Sequence, residues 1–338
     1  MMHRLFPRSR RIRGMTLVEL LVAMAIGLVI ALAAMASLTV ARRGFTTVDA
    51  ASQLRDNARY SRDLLNRLIV QTGYASEKYV TLSRKSDSNL NPNPPPNVFG
   101  FNSARPDVGN GLAASTTTGV VNGSDTLILR YQTEVSVDGA ATADQAMITC
   151  FGEAADNLPS NRDNRMVSLI YLQVSATTGE PSLMCNAGPD DSVSLQANNA
   201  QPLVEGVESF HVLYGVDGVT AGTATPRTIT TGGVTTANVP KISDRYLRAD
   251  QLAVTTGSAA SNEVETYNNW RRVRSVRIGM VLRGPPNSAQ EKSTPAANPF
   301  GAASNLGDST SILPAGTDGR LRQSITFTVQ LRNYQDLS

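Results

Sequence analysis

The chain has 338 residues, a formal net charge of +3, two histidines and two cysteines. That length suffices for a membrane segment plus one large or two modest domains, and the ordinary apolar content predicts a folded core. Only His211 follows residue 14, which excludes a histidine-based triad or a multi-histidine metal site, and no Cys-x-x-Cys, phosphate-loop or His-Glu-x-x-His pattern is present.

Arg4, Arg8, Arg10, Arg11 and Arg13 precede Met15 with no acid among them. Without those five charges a net +3 becomes −2, so the basic pI belongs to the leader and gives a nucleic-acid partner little support. The junction reads Gly14-Met15-Thr16-Leu17-Val18-Glu19, and residues 20–40 are uncharged, mostly apolar and free of proline. As a helix that stretch rises about 31 Å, close to the roughly 30 Å hydrocarbon core. The heavier basic flank stays cytoplasmic and exports the remainder, with Arg42 and Arg43 arguing mildly the other way. A cleaved secretory signal is the rival, but the run is long for one and lacks a small-x-small site beside a helix end. An uncleaved signal anchor fits the hydropathy equally well.

From Thr46 to Thr72 there is no Pro or Gly. Leu54, Ala58, Leu65 and Leu68 recur at three-, four- and seven-residue steps, with Leu64 and Ile69 beside them and charges filling the rest. That is an amphipathic helix packing one stripe on a domain, stopped at Gly73. Unbroken through Gly44, residues 15–72 form one helix on the order of 87 Å. A soluble head cannot cover that length, so the apolar first half must lie in lipid or against other subunits.

Residues 91–97 (NPNPPPN) exclude helix and central strand, because each proline lacks an amide donor. They open a loop running to about Ser124. β signals follow. Leu127, Leu129 and Tyr131 alternate with polar residues, and 167–174 is apolar on both faces. Residues 203–216 hold one long or two short strands. Val276, Ile278, Met280 and Leu282 line another strand, and Ile325, Phe327, Val329 and Leu331 a last one. The stretches 218–240 and 285–318 read as surface loops. The expected class is α+β: a leader at 1–14, a long helix at 15–73 that spans a membrane at about 20–40, and a β-rich head at 74–338.

Cys150 and Cys185 lie in the exported part, where an oxidising compartment favours a disulfide; two separate buried thiols are the alternative. His211, between Phe210 and Val212, reads as a structural residue of an apolar strand. Asp190, Asp191 and Asp217 read as solvated turn residues, since their spacing matches no calcium loop. Trp270-Arg271-Arg272-Val273-Arg274-Ser275-Val276-Arg277 is the one concentrated basic stretch of the head. Tryptophan among arginines has the elements of a single-strand nucleic-acid surface. The simpler reading, which we adopt, is a strand whose arginines face solvent while Val276 and Ile278 enter the core.

Three stretches resemble the prepilin class and, within it, the minor pilins of the PilW family. They are Arg13 through Leu21 (RGMTLVELL), residues 68–75 (LIVQTGYA), and the C-terminal pieces LVEGVE at 203–208, Tyr214-Gly215-Val216-Asp217, Trp270 with Val276-Arg277-Ile278, and FTVQLRN at 327–333. Most major pilins begin the mature chain with Phe and carry a kinking proline some 22 residues in; this chain has Met15 and Ala36 at those places.

The resemblance implies a type IV pilin-like fold, a long helix on an antiparallel sheet. It implies cleavage between Gly14 and Met15 by a prepilin peptidase, N-methylation of Met15, and no enzymatic activity or cofactor in the chain itself. It assigns Glu19, the fifth mature residue, to pairing with the Met15 ammonium of its own or a neighbouring subunit. A carboxylate at the membrane edge costs a few kcal/mol unless paired, and the simpler reading is a helix N-terminal charge. The implied partners are the peptidase, other minor pilins, the major pilin and the inner membrane. The implied role is priming of pilus assembly from a tip complex, with a J-type pseudopilin of type II secretion or a signal-anchored periplasmic adhesive protein as alternatives.

Overall fold

The computed structural model describes residues 14–76, 90–107, 112, 115–136, 142–190, 200–239, 242–301 and 312–333. The leader residues 1–13 and Asp191 lie outside them. The chain divides into two compact units, Met1–Asp49 and Ala50–Ser338.

In the first unit the described residues are the junction and the start of α1, Leu17–Gln71. The helix runs through Gly44 without a break. Leu21, Ile26, Leu28, Ile30 and Leu32 are among many exposed apolar side chains here. Among the described residues α1 is the one helix long and apolar enough to cross a membrane, with a mean hydropathy of 2.6 over its best window.

In the second unit, α1 changes character. Ala50, Leu54, Ala58, Ser61, Leu65, Leu68 and Ile69 are buried at helical spacing, while Arg55, Arg59 and Arg62 stay exposed. Gly73 adopts a φ of +78°, the left-handed conformation that ends helices, and its N–H donates to the Arg130 carbonyl at 2.8 Å.

The head holds two antiparallel sheets. The first comprises β1 (Val98–Phe101), β4 (Thr126–Tyr131), β5 (Met166–Val174), β6 (Pro181–Pro189) and β7 (Gln201–Glu205), paired in the order β1-β4-β5-β6-β7. The second runs β11-β8-β12-β13: Arg245–Leu247, Val207–Val216, Val273–Arg283 and Arg322–Gln330. Gly206, at φ +77°, ends β7 and lets the chain turn from one sheet into the other. Residues 203–216 are therefore two strands in different sheets. Short pairs β2 (Arg105–Pro106) with β3 (Ser115–Thr116), and β9 (Thr228–Thr231) with β10 (Val234–Ala237), lie outside both sheets.

One core joins α1 to both sheets. Leu65, Leu68 and Ile69 cluster with Leu127 and Leu129, Ile170 and Leu172, Phe210 and Val212, Ile278 and Met280. The opposite face of the first sheet carries a second cluster of Ile128, Val167, Leu169, Tyr171 and Met184. β4 and β5 thus bury both faces. This accounts for the apolar run of β5. In β4 it corrects the expected alternation of Leu127, Leu129 and Tyr131 with polar, solvent-facing residues, because Ile128 is apolar and Thr126 and Arg130 are buried as well.

Three expectations need correction. The segment after the proline run is not loop to Ser124, because β1 pairs with β4 along Val98↔Leu129 to Phe101↔Thr126. Residues 218–240 include the β9–β10 hairpin. Trp270 and Arg271 are not in a strand: they end α3, Ala259–Arg271, which follows the single turn α2, Ala249–Leu252. The Ser258 hydroxyl caps α3 by accepting from the Ser261 N–H.

Candidate functional site

Gly14 and Met15 are exposed, and Thr16 caps α1. The Glu19 N–H donates to Thr16 Oγ1 at 3.3 Å, while Glu19 Oε2 accepts from the Thr16 N–H at 3.0 Å and from its hydroxyl at 3.1 Å. This is a reciprocal capping box of the form Thr-x-x-Glu. The sequence carried that signature, and a reading confined to charge overlooked it. Both partners lie beyond the Gly14–Met15 bond, so breaking that bond leaves the box intact.

Gly14 has no left-handed φ, and a Cβ built on it would meet no atom within 4 Å among the described residues. The fold itself therefore makes no demand for glycine at this position. A peptide bond with an exposed backbone and no obstructing Cβ suits approach by another molecule's active site.

In the head, Cys150 and Cys185 form a disulfide with Cα atoms 6.0 Å apart, joining the turn at 149–153 to β6. His211 is buried in β8, with Nδ1 3.7 Å from Asp125 Oδ2, and works as a core residue. Asp125 meanwhile accepts from the Val212 N–H at 2.8 Å and the Ser103 N–H at 2.8 Å.

The basic stretch turns inward, against the expectation of solvent-facing arginines. Trp270 is 1% exposed and packs between Phe99 and Tyr214, at centroid distances of 4.8 and 4.5 Å. Arg271, Arg272 and Arg274 are all buried. Arg272 Nε donates to the Asp217 carbonyl at 2.6 Å and Nη1 to the Asn238 carbonyl at 2.7 Å, which pins the base of the β9–β10 hairpin. Trp270 is thus unavailable for stacking on a base.

Sequence reasoning also missed what holds the proline run. Three arginines, from three distant segments, each take one carbonyl of it. Arg271 Nη2 donates to Pro94 O, Arg165 Nη1 to Pro95 O and Arg130 Nη1 to Pro96 O, all at 2.8 Å. Consecutive prolines expose carbonyls with no amide of their own to pair, and guanidinium forks supply the donors. Asp190, expected to be a solvated turn residue, is buried between two of these arginines, 3.0 Å from Arg130 Nε and 2.7 Å from Arg165 Nη2. Burial pushes the Arg165 guanidinium down from its usual range, and the Asp190 charge opposes that shift. Among the described residues no cluster of His, Cys, Asp or Glu could hold a metal ion.

Comparison with known proteins bears on both ends of the chain. Residues 170–333 match the family model described as type IV pilus-assembly protein W. Residues 9–35 match the prokaryotic N-terminal methylation motif. No curated protein matches the chain. Among solved structures, a type IV-like pilin from Thermus thermophilus aligns over 84% of this chain and 99% of its own, at 13% identity and a TM-score of 0.36.

Proposed function

We propose that this chain, a PilW-family protein with a prepilin-type N-terminus, is a type IV pilus minor pilin that primes filament assembly from a tip-located minor pilin complex. It is made as a precursor, cut between Gly14 and Met15 by a prepilin peptidase and methylated on the new Met15 amino group. Before assembly the apolar part of α1 sits in the inner membrane with the head in the periplasm. It then transfers to the grooves between other minor pilins and the major pilin. The role is structural, and the peptidase supplies the catalysis.

The observation that carries this reading is the coupling of a methylation-motif junction to a helix whose first turns are apolar and exposed, ahead of a disulfide-bonded head. Glu19 has two duties in it. Within one chain its carboxylate closes the capping box. Between chains it pairs with a Met15 ammonium, and in a low-dielectric filament core that attraction sets the axial register. Glutamine at position 19 keeps the cap and loses the charge. A strain carrying Glu19→Gln or Glu19→Leu should process the precursor normally yet show no surface pili. Normal piliation in Glu19→Leu would rule out the pairing role.

A further inference from the structure

An open sheet ends in strands whose outer N–H and C=O groups lack a neighbour, and such edges invite pairing with another chain unless they are blunted. Most edges of the head are blunted. β1 is four residues long, with Tyr267 and Trp270 of α3 packed on its Phe99. β7 carries Pro202 and an irregular register on β6. β11 is three residues long. Where β11 stops, the segment before β4 takes over the edge of β8. Asn122 Nδ2 donates to Glu208 O at 2.7 Å, Ser124 Oγ accepts from the Phe210 N–H at 3.1 Å, and the Asp125 N–H donates to Phe210 O at 2.8 Å.

β13 lacks these devices. It is nine residues long and pairs with β12 in an unbroken register. Residues 323–330 (QSITFTVQ) contain no charge, proline or glycine. The Gly284 N–H donates to Leu321 O at 2.8 Å and the Leu331 N–H to Arg274 O at 2.9 Å, one bond at each end of the strand. By the alternation of an antiparallel ladder, the odd-numbered residues between them face β12. The N–H and C=O groups of Ser324, Thr326, Thr328 and Gln330 therefore point away from it, and among the described residues these groups have no partner. The same residues are exposed. The Thr326 hydroxyl donates to Pro299 O and the Thr328 hydroxyl accepts from Arg277, which leaves their backbone groups open. On the core face Ile325 and Phe327 are only half-buried, so the apolar core reaches this edge and stops.

We propose that the β13 edge docks an antiparallel strand of another polypeptide, one that alternates apolar with uncharged polar residues and is led by an acidic residue. Backbone pairing supplies the affinity, as in other strand additions. The apolar side chains of the incoming strand lie beside Ile325, Phe327 and Val329 and extend the core. Its leading acid meets Arg332, which has no acidic partner among the described residues, whereas Arg320 and Arg322 at the other end pair with Glu180, Glu208 and Asp318. A second copy of β13 fits less well. In full antiparallel overlap, with Arg322 opposite Gln330, each Arg320 would oppose the partner subunit's Arg332. The edge lies wholly in the head and does not depend on the assembly role.

The test is fluorescence anisotropy of the full chain in detergent micelles with the labelled peptide DVTVTVTVS. In the expected register its Asp lies opposite Arg332, its Thr residues opposite Gln330, Thr328 and Thr326, and its Val residues opposite Leu331, Val329, Phe327 and Ile325. We expect saturable one-to-one binding. A peptide N-methylated on the threonines, whose amides face β13, should not bind. One N-methylated on the valines, whose amides face away, should bind as the parent does. Thr326→Pro should weaken the parent peptide by about tenfold or more. Arg332→Gln should weaken it about threefold and leave the affinity of the peptide NVTVTVTVS unchanged. No saturable binding to the folded chain, or equal binding of the two methylated peptides, would overturn the proposal. So would self-association of the chain in sedimentation that Thr326→Pro abolishes, which would give the edge to a second copy.

Discussion

At the scale of single residues, the informative polar groups are those whose partners the sequence separates widely. Asp190 reaches Arg130 and Arg165, neither near it in the chain, and all three are buried. Removing the carboxylate leaves two guanidiniums together in the interior, so Asp190→Ala should destabilise the head by about 3–5 kcal/mol. Urea denaturation of the variant checks this, and a loss below about 1 kcal/mol would mean that the proline carbonyls alone suffice. Sequence spacing could not reveal this cluster, because the register that gathers it exists only after β4, β5 and the proline run have met. The Thr16–Glu19 box is the opposite case: its partners are three residues apart and wholly legible.

Among the elements, α1 was the most legible. Its stripe from Leu54 to Ile69 keeps the helical period, and the buried residues are those the period selects. Leu65 is fully buried against both sheets, and Leu65→Ala should cost about 2–5 kcal/mol through lost burial and a residual cavity. Thermal unfolding of the variant is the check. The strands β5, β8, β12 and β13 were also readable from apolar alternation or apolar runs. β6 was not, because Pro181, Gly188 and Pro189 disguise its ends. Nor was α3, whose Ser, Asn and Thr are poor helix formers and which tertiary burial of Tyr267 and Trp270 stabilises. The inward turn of Arg271 and Arg272 follows from that same helix end, which is why a strand reading sent them to solvent. The disulfide closes a loop across a sequence separation of 35, and Cys150→Ser with Cys185→Ser should lower stability by about 4 kcal/mol on the loop-entropy account.

Across the whole head, an ionic network binds one sheet to the other. Glu180, just ahead of β6, pairs with Arg283 of β12 at 2.8 Å and with Arg320 at 3.0 Å. Glu208 of β8 pairs with Arg322 of β13 at 2.6 Å, and Asp318 with Arg322 at 2.9 Å. Hydrogen bonds from Arg320, then Arg283, hold the Glu180 carboxyl below its usual range, and a hydrogen bond from Arg322 does the same for Asp318. Lowered carboxyl values mean that the folded state binds protons less readily than the unfolded one. Their stabilisation is therefore complete above the ordinary carboxylate range, about pH 4, and is lost as pH falls through the lower folded values. Urea midpoints should stay flat from neutral pH to about pH 5 and fall below about pH 4, with a shallower fall in Glu180→Gln. A midpoint insensitive to acid would contradict the network's role.

The account of the entire molecule turns on one bond, between Gly14 and Met15. Mass spectrometry of the chain's N-terminal peptide, after co-expression with a prepilin peptidase, tests it most directly. The account predicts a chain that begins at Met15 and carries one added methyl group on its amino nitrogen. A chain that keeps its leader arginines, or one cut at another bond, would contradict it.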